Sequence, residues 1–314
     1  MRQITRYLIA IAAALPGCAN SEPFPALGRQ TYSETFDKPA DAARFNRVYR
    51  GLETWGYFGA EPIGRRDRKK MTQAQRVSSR TWPGILNINV DGDYCPGATT
   101  PSVADGALRI DAYRFTPDDA VSCGHGKPWA SAYVSSKASF AQTYGYFEIE
   151  AKIPCDPGRW PAFWLLPVAK TPENGGRLAE IDVFEHYGGT RTVQSQGKPY
   201  VINRVGQPFS TLHVGTVKSE KAFSNAQKLP PRTKEERIAF CQTSHSYGVL
   251  WTPAEFRFYI DRVETFRTPN PGVDDPHYWV LNMDISKSAG DPGLMPGPSR
   301  YEIYAVRAWA LPGR

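Results

Sequence analysis

The chain has few long apolar runs. Among its 314 residues only Tyr-Leu-Ile-Ala-Ile-Ala-Ala-Ala-Leu at 7–15 is continuously apolar. That is well short of the roughly 20 residues that cross a bilayer as a helix, so no transmembrane helix is expected. Cysteine is scarce, with 5 in the whole sequence, and no two close pairs occur, which argues against a thiolate zinc site. Internal repeats are absent, as is any Ser/Gly or Pro/Thr linker, so solenoids and tethered domains are poor readings. Long helices are also disfavoured, because 27 Gly and 27 Pro interrupt the chain too often.

What is present is core-forming material: 41% hydrophobic residues, 12% aromatic, and only 22% charged, a balance that rules against intrinsic disorder. Short alternating runs recur. In Gly145-Tyr-Phe-Glu-Ile-Glu-Ala-Lys-Ile153, Phe147, Ile149, Ala151 and Ile153 share one face and Tyr146, Glu148, Glu150 and Lys152 the other, which predicts a strand with one buried face. Similar runs lie at 107–113, 247–251, 255–260, 263–266, 278–284 and 301–310. Asp261-Arg262 separates two of them at hairpin spacing, although without the preferred Gly. Many short strands and no clear helix predict an all-β fold, a sandwich of two antiparallel sheets covering each other's apolar faces.

The N-terminus reads as an export signal over residues 1–19: Arg2 and Arg6, the apolar run, then small residues. Leu15-Pro16-Gly17-Cys18 resembles a bacterial lipobox, which would make Cys18 a lipidated first residue; ordinary cleavage after Ala19 is the alternative. A single domain over residues 20–314 is expected, as a monomer that is secreted, periplasmic or lipid-anchored at the cell envelope. Without the leader, Lys+Arg falls from 38 to 36 against 31 Asp+Glu, so net charge falls from +7 to +5. The densest basic run, Arg65-Arg66-Asp67-Arg68-Lys69-Lys70, reads as a solvated loop or as a contact for an anionic polymer. No nucleic-acid motif accompanies it. Cys95, Cys123, Cys155 and Cys241 then form an even set suited to an oxidising compartment. Three pairings are open; the expected one joins Cys95 to Cys123, in one Gly/Pro-rich region, and Cys155 to Cys241, each beside a strand.

The chemistry concentrates in Glu180-Ile181-Asp182-Val183-Phe184-Glu185. A period of two puts Glu180 and Asp182 on one face, but a regular strand would turn Glu185 to the other. A β-bulge at Val183 or Phe184 would restore it. Two glutamates leaning together there could bring their carboxyls to about 5.5 Å, the separation of a retaining glycosidase. A strand edge protected by acids is the structural alternative.

Extended to Glu180-Ile-Asp-Val-Phe-Glu-His-Tyr-Gly188, this segment resembles the signature of glycoside hydrolase family 16, whose members include laminarinases, agarases, carrageenases and lichenases. Tyr144-Gly-Tyr-Phe-Glu148, Trp160-Pro-Ala-Phe-Trp164, Ser244-His-Ser-Tyr-Gly-Val-Leu-Trp251 and Tyr301-Glu-Ile-Tyr-Ala-Val-Arg307 resemble further landmarks in the family's order. The resemblance implies a β-jelly roll with a concave carbohydrate cleft. It also implies an endo-acting retaining β-glycanase with Glu180 as nucleophile, Glu185 as general acid/base and Asp182 as a supporting carboxylate. Trp160 and Trp164 would stack on sugar rings or, for Trp164 equally, pack in the core; His213 would bond a carboxylate or sugar, and His245 reads as packing or as a support behind the residues that touch the substrate. Paired carboxylates need no cofactor, and no calcium-loop signature is present, so no metal is assigned.

Departures from the family bear on substrate. Gly175-Gly-Arg-Leu-Ala179 stands where laminarinases carry a Trp-Pro and a Gly, which weakens a plain β-1,3-glucan assignment. Two residues between Asp182 and Glu185 instead of one weigh against a lichenase type. The stretches 51–80 and 217–240 match no landmark. The expected partner is a polysaccharide, and the positive charge favours an anionic one. The alternatives are a transglycosylase on the same residues and a carbohydrate-binding protein without catalysis, which would have no need of all three acids.

Overall fold

Strand-forming alternation dominates the computed structural model, which describes residues 23–37, 84–90, 95–137, 139–168, 178–195, 198–215, 221–225, 233–295 and 297–313. The leader, Cys18, the basic run at 65–70 and the stretch 51–80 lie outside these residues. Along the described chain the strands are β1 (Gln30–Glu34), β2 (Asn87–Asn89), β3 (Ser102–Ala104), β4 (Ala107–Arg114), β5 (Trp129–Ser131) and β6 (Tyr133–Ser135). Next come β7 (Gly145–Lys152), β8 (Arg159–Pro167), β9 (Leu178–Glu185), β10 (Thr190–Ser195), β11 (Lys198–Asn203), β12 (Phe209–Gly215) and β13 (Lys221–Asn225). The last are β14 (His245–Trp251), β15 (Glu255–Ile260), β16 (Val263–Pro269), β17 (His277–Ile285) and β18 (Ser299–Trp309).

Two curved sheets result. The six-stranded sheet runs β13-β12-β9-β8-β17-β6, the larger one β16-β15-β14-β7-β18-β4-β5-β2 with β1 and β3 attached, and β10-β11 form a separate hairpin. Pairing is antiparallel except between β2 and β5. The core lies between the sheets. Phe147, Ile149, Ala151, Val249, Trp251, Phe258 and Ile303 enter it from the larger sheet, and Phe163, Leu165, Ile181, Leu212, Trp279 and Leu281 from the smaller. Because alternate residues of the smaller sheet point inward, the others line its concave outer face.

Two features lie outside the strand reading, and a third, the hairpin expected at Asp261-Arg262, forms there but is held in an unexpected way. β7 buries both faces: Tyr146 packs with Leu250 and Tyr259 under Phe24 and Leu27, and Glu148, 3% exposed, pairs with Arg262 at 3.2 Å. The N-terminal segment supplies this second cover. Two short helices also form among the described residues, α1 (Pro117–Ser122), capped by Thr116, and α2 (Lys234–Gln242), with a capping box between Thr233 and Glu236. Lastly, Asp261 and Arg262 make the hairpin turn with φ of 51° and 61°. In place of the preferred Gly, the turn is held by side chains: the Asp261 carboxylate accepts the Ser246 N–H and pairs with His245 Nδ1 at 2.7 Å, while Arg262 grips Glu148.

The disulfides pair Cys95 with Cys123 and Cys155 with Cys241. The second joins the turn before β8 to α2.

Candidate active site

The catalytic-type acids sit on β9 in the middle of the smaller sheet. Its register contains the irregularity that the acid spacing demands. Against β8, Asp182 faces Trp164 and Phe184 faces Phe163; against β12, Asp182 faces Thr211 and Glu185 faces Phe209. Three steps on β9 therefore match two on its neighbours, a one-residue bulge at Val183–Phe184. Val183 and Phe184 both enter the core, and the bulged Val183 carbonyl accepts the Ser210 hydroxyl at 2.8 Å. Glu180, Asp182 and Glu185 are thereby returned to one face.

Around them the concave face is polar and aromatic. His213, opposite Glu180 in register, brings Nε2 to 3.2 Å from Asp182 Oδ2. Carboxylate oxygens of Glu180 and Asp182 and a ring nitrogen of His213 all lie within 4.8 Å of one another. These donors could chelate a cation, at the cost of tying up both acids. Trp160 Nε1 donates to Glu185 Oε1 at 2.9 Å, and the Thr211 hydroxyl donates to Glu185 Oε2 at 3.4 Å.

Glu185 is half-buried, and its pKa is pushed up to about 8, by burial first and then by the charge of Asp182; His213, Trp160 and Thr211 oppose the rise. Loss of water is thus a larger cause than the neighbouring charge. Such a carboxyl carries a proton at neutral pH.

Trp160 and Trp164 both stand half-buried on the cleft side of β8. Trp164 leans on Tyr133, Leu166, Tyr278 and Val280 and donates Nε1 to Asn282 Oδ1 at 2.8 Å. Asn282 in turn donates to Asp284 at 3.1 Å, whose other oxygen takes a bond from Asn87. Burial raises the pKa of Asp284 to about 6 against the pull of those two amides. His245 lies on β14 of the other sheet, stacked on Phe240 at 3.8 Å, away from the cleft. Sequence reasoning misses Thr211, Tyr187, Asn282 and Asp284. The last two had a signal, since polar Asn282 and Asp284 alternate with the core residues Trp279, Leu281, Met283 and Ile285.

The description "Glycosyl hydrolases family 16" belongs to a family model that matches residues 101–293. The chain belongs to this family. Within family 16 it is 34% identical over 250 residues to endo-1,3-1,4-beta-glycanase EglC of Rhizobium meliloti, covering 78% of this chain and 47% of that protein. It is 32% identical over 289 residues to the beta-glucanase of Rhodothermus marinus, covering 83% of this chain and 82% of that one. The chain thus spans about half the length of the Rhizobium meliloti relative. The fold matches the laminarinase catalytic domain of Thermotoga maritima with a TM-score of 0.60, at 21% identity over 91% of this chain and 99% of the other.

Proposed function

We propose that the chain is a secreted, endo-acting, retaining β-glycanase, cleaving a β-1,3(4)-glucan-type backbone. The observation that carries the proposal is Glu185: a carboxyl with its pKa near 8, on the same face as Glu180, hydrogen-bonded by an indole at the cleft floor. The names of the Rhizobium meliloti and Rhodothermus marinus relatives favour a glucan. The leader at 1–19 favours export.

In this mechanism Glu180 attacks the anomeric carbon as the glycosidic bond breaks, and the Glu185 proton passes to the departing oxygen. The product of this step is a glycosyl ester on Glu180 and a free chain end. Glu185, now ionised, takes a proton from water; the resulting hydroxide attacks the anomeric carbon and releases Glu180. Two inversions give net retention. Asp182, held by His213, sits between the two acids and keeps negative charge near Glu185. The faces of Trp160 and Trp164 supply stacking surface for sugar rings.

The test is the first-formed product by NMR: a β-anomer from a β-linked substrate is expected, and an α-anomer would overturn the role of Glu180. Glu185→Ala should retain turnover on substrates with a good leaving group and give a β-glycosyl azide when azide is added. Glu180→Ala should be inactive on all of them.

A further inference from the structure

On the β17 side of the cleft, side chains from three strands form one continuous run of hydrogen bonds. It begins at the indole of Trp164, whose Nε1 donates to Asn282 Oδ1 at 2.8 Å. Asn282 Nδ2 donates to Asp284 Oδ2 at 3.1 Å. From the opposite side Asn87, on β2, donates Nδ2 to Asp284 Oδ1 at 3.4 Å and to Asn89 Oδ1 at 3.2 Å. The run ends on the backbone, where the Ile285 N–H donates to Asn87 Oδ1 at 2.8 Å. Asn87, Asn89 and Asn282 are at most 5% exposed, so these bonds are made away from bulk water.

The two ends fix the polarity of everything between them. An indole N–H and a backbone N–H only donate, and an amide that offers its oxygen to one neighbour offers its NH2 to the other. Trp164 therefore orients Asn282, Ile285 orients Asn87, and both amides turn their NH2 groups on Asp284. The residue at 284 has to accept from two sides at once. A carboxylate does so with one oxygen for each donor, and Asp284, its pKa raised by burial only to about 6, is ionised at neutral pH. An amide of the same shape would set its own NH2 against one of the donors, which then loses its bond and its hydration together.

At the cleft end, Trp164 meets Tyr133 edge-on at 6.1 Å and rests on the apolar patch of Leu166, Tyr278 and Val280. Apolar packing is non-directional, whereas the bond from Nε1 has a direction. It is the Asn282 oxygen that selects which way the indole edge points.

We propose that Asp284 is a positioning residue for substrate: through Asn282 it sets the orientation of the Trp164 indole, and so the fit of a sugar ring on that surface. The proposal rests on the glycanase reading of the cleft and deepens it, assigning part of the substrate affinity to a carboxylate that takes no part in the chemistry. Asp284 also ties β2, at the end of the larger sheet, to β17 of the smaller. A tie alone would alter stability without acting through Trp164.

The experiment compares the unmutated enzyme, Asp284→Asn, Trp164→Phe and the double variant on a soluble β-glucan. A ring contact made alike in the bound substrate and the transition state raises KM when it is lost and leaves kcat in place. Asp284→Asn should raise KM about fivefold or more, with kcat held within about twofold. Trp164→Phe removes the donor that orients Asn282, so in that background the same change should move KM by less than about twofold. In proton–nitrogen correlation spectra the indole signal of Trp164, identified by its loss in Trp164→Phe, should shift or split in Asp284→Asn, while that of Trp251 in the other sheet stays. Melting curves identify the folded variants; Asp284→Ala, which removes the acceptors without adding a donor, carries the same expectations where Asp284→Asn does not fold. An unchanged KM, a loss confined to kcat, an effect of equal size without the indole, or an unmoved Trp164 signal overturns the positioning role and leaves the glycanase reading standing. Absence of hydrolysis by the unmutated enzyme overturns the glycanase reading, and the positioning role with it.

Discussion

The pKa of Glu185 can be moved in either direction by changes that leave the carboxyl in place. Trp160→Phe removes the 2.9 Å bond from Nε1 to Oε1. A hydrogen bond to a charged acceptor contributes about 1.5–3 kcal/mol and one between neutral groups about 0.5–1.5 kcal/mol, so the ionised form loses about 1 kcal/mol more than the protonated form. At about 1.4 kcal/mol per pH unit, the pKa should rise by a little under one unit from its place near 8. Asp182→Asn removes the neighbouring negative charge, the second cause of the rise after burial, and should lower it by on the order of one unit. The assay is kcat/KM on a soluble β-glucan from pH 5 to 10, whose alkaline limb reports the acid of the free enzyme. The limb should fall near pH 8 in the unmutated enzyme, move up in Trp160→Phe and move down in Asp182→Asn, whatever either change does to the maximum. Limbs that stay together, or that move in the opposite order, would refute Glu185 as the proton donor.

Further outcomes follow from other parts of the molecule. The folded pKa of Glu185 lies above the usual 4.5, so its contribution to stability is whole below that pH and is lost as pH rises through about 8. Glu185→Gln should therefore melt about 2–6 °C above the unmutated protein at pH 9, with the gap closing by pH 5; an equal gap at both values would contradict the burial account. Gly188→Ala would drive a Cβ into the Asp156 carbonyl and should cost about 2–4 kcal/mol in a denaturant melt; a neutral result would disprove that close approach. Thiol titration of the denatured, unreduced protein should find none of the four cysteines 95, 123, 155 and 241 reactive. If Cys18 is lipidated, mass spectrometry should find the mature chain starting there with attached lipid, and a bare terminus at Asn20 would exclude it.

Most strands were legible because each had a single reason to alternate. Tyr301-Glu-Ile-Tyr-Ala-Val-Arg-Ala-Trp-Ala310 reads as a strand, and β18 occupies Ser299–Trp309. The bulge was legible too, since three acids at that spacing reach one face only if the strand slips by a residue. The second cover of β7 was not, because Phe24 and Leu27 lie over a hundred residues away and nothing local in Tyr146 or Glu148 distinguishes a covered outer face from a wet one. The helices carry local signals that the alternation of strands does not: Thr233 with Glu236 is a capping box, and Thr116-Pro117-Asp118-Asp119 a helix start. Thr211 and Tyr187 owe their places beside the site to cross-strand register and ring contacts, which only the folded sheet creates.

The bulge also bears on how the chain length of the site can change. Asp182 and Glu185 pair with positions two apart on both neighbouring strands, so removing one of the intervening residues would leave a regular strand with all three acids still on the cleft face. A single-codon deletion there would preserve the constellation, whereas the same deletion between Glu180 and Asp182 would turn Glu180 into the core. The spacing of this signature is therefore free to vary at one point and fixed at the other, and two lineages differing by a residue there can be neighbours by descent with no inactive intermediate between them. The penalty falls on the interior. The extra residue lets both Val183 and Phe184 reach the core, where Phe184 lies against Tyr247 at 4.2 Å, and a shortened lineage would have to refill that space from the opposite sheet.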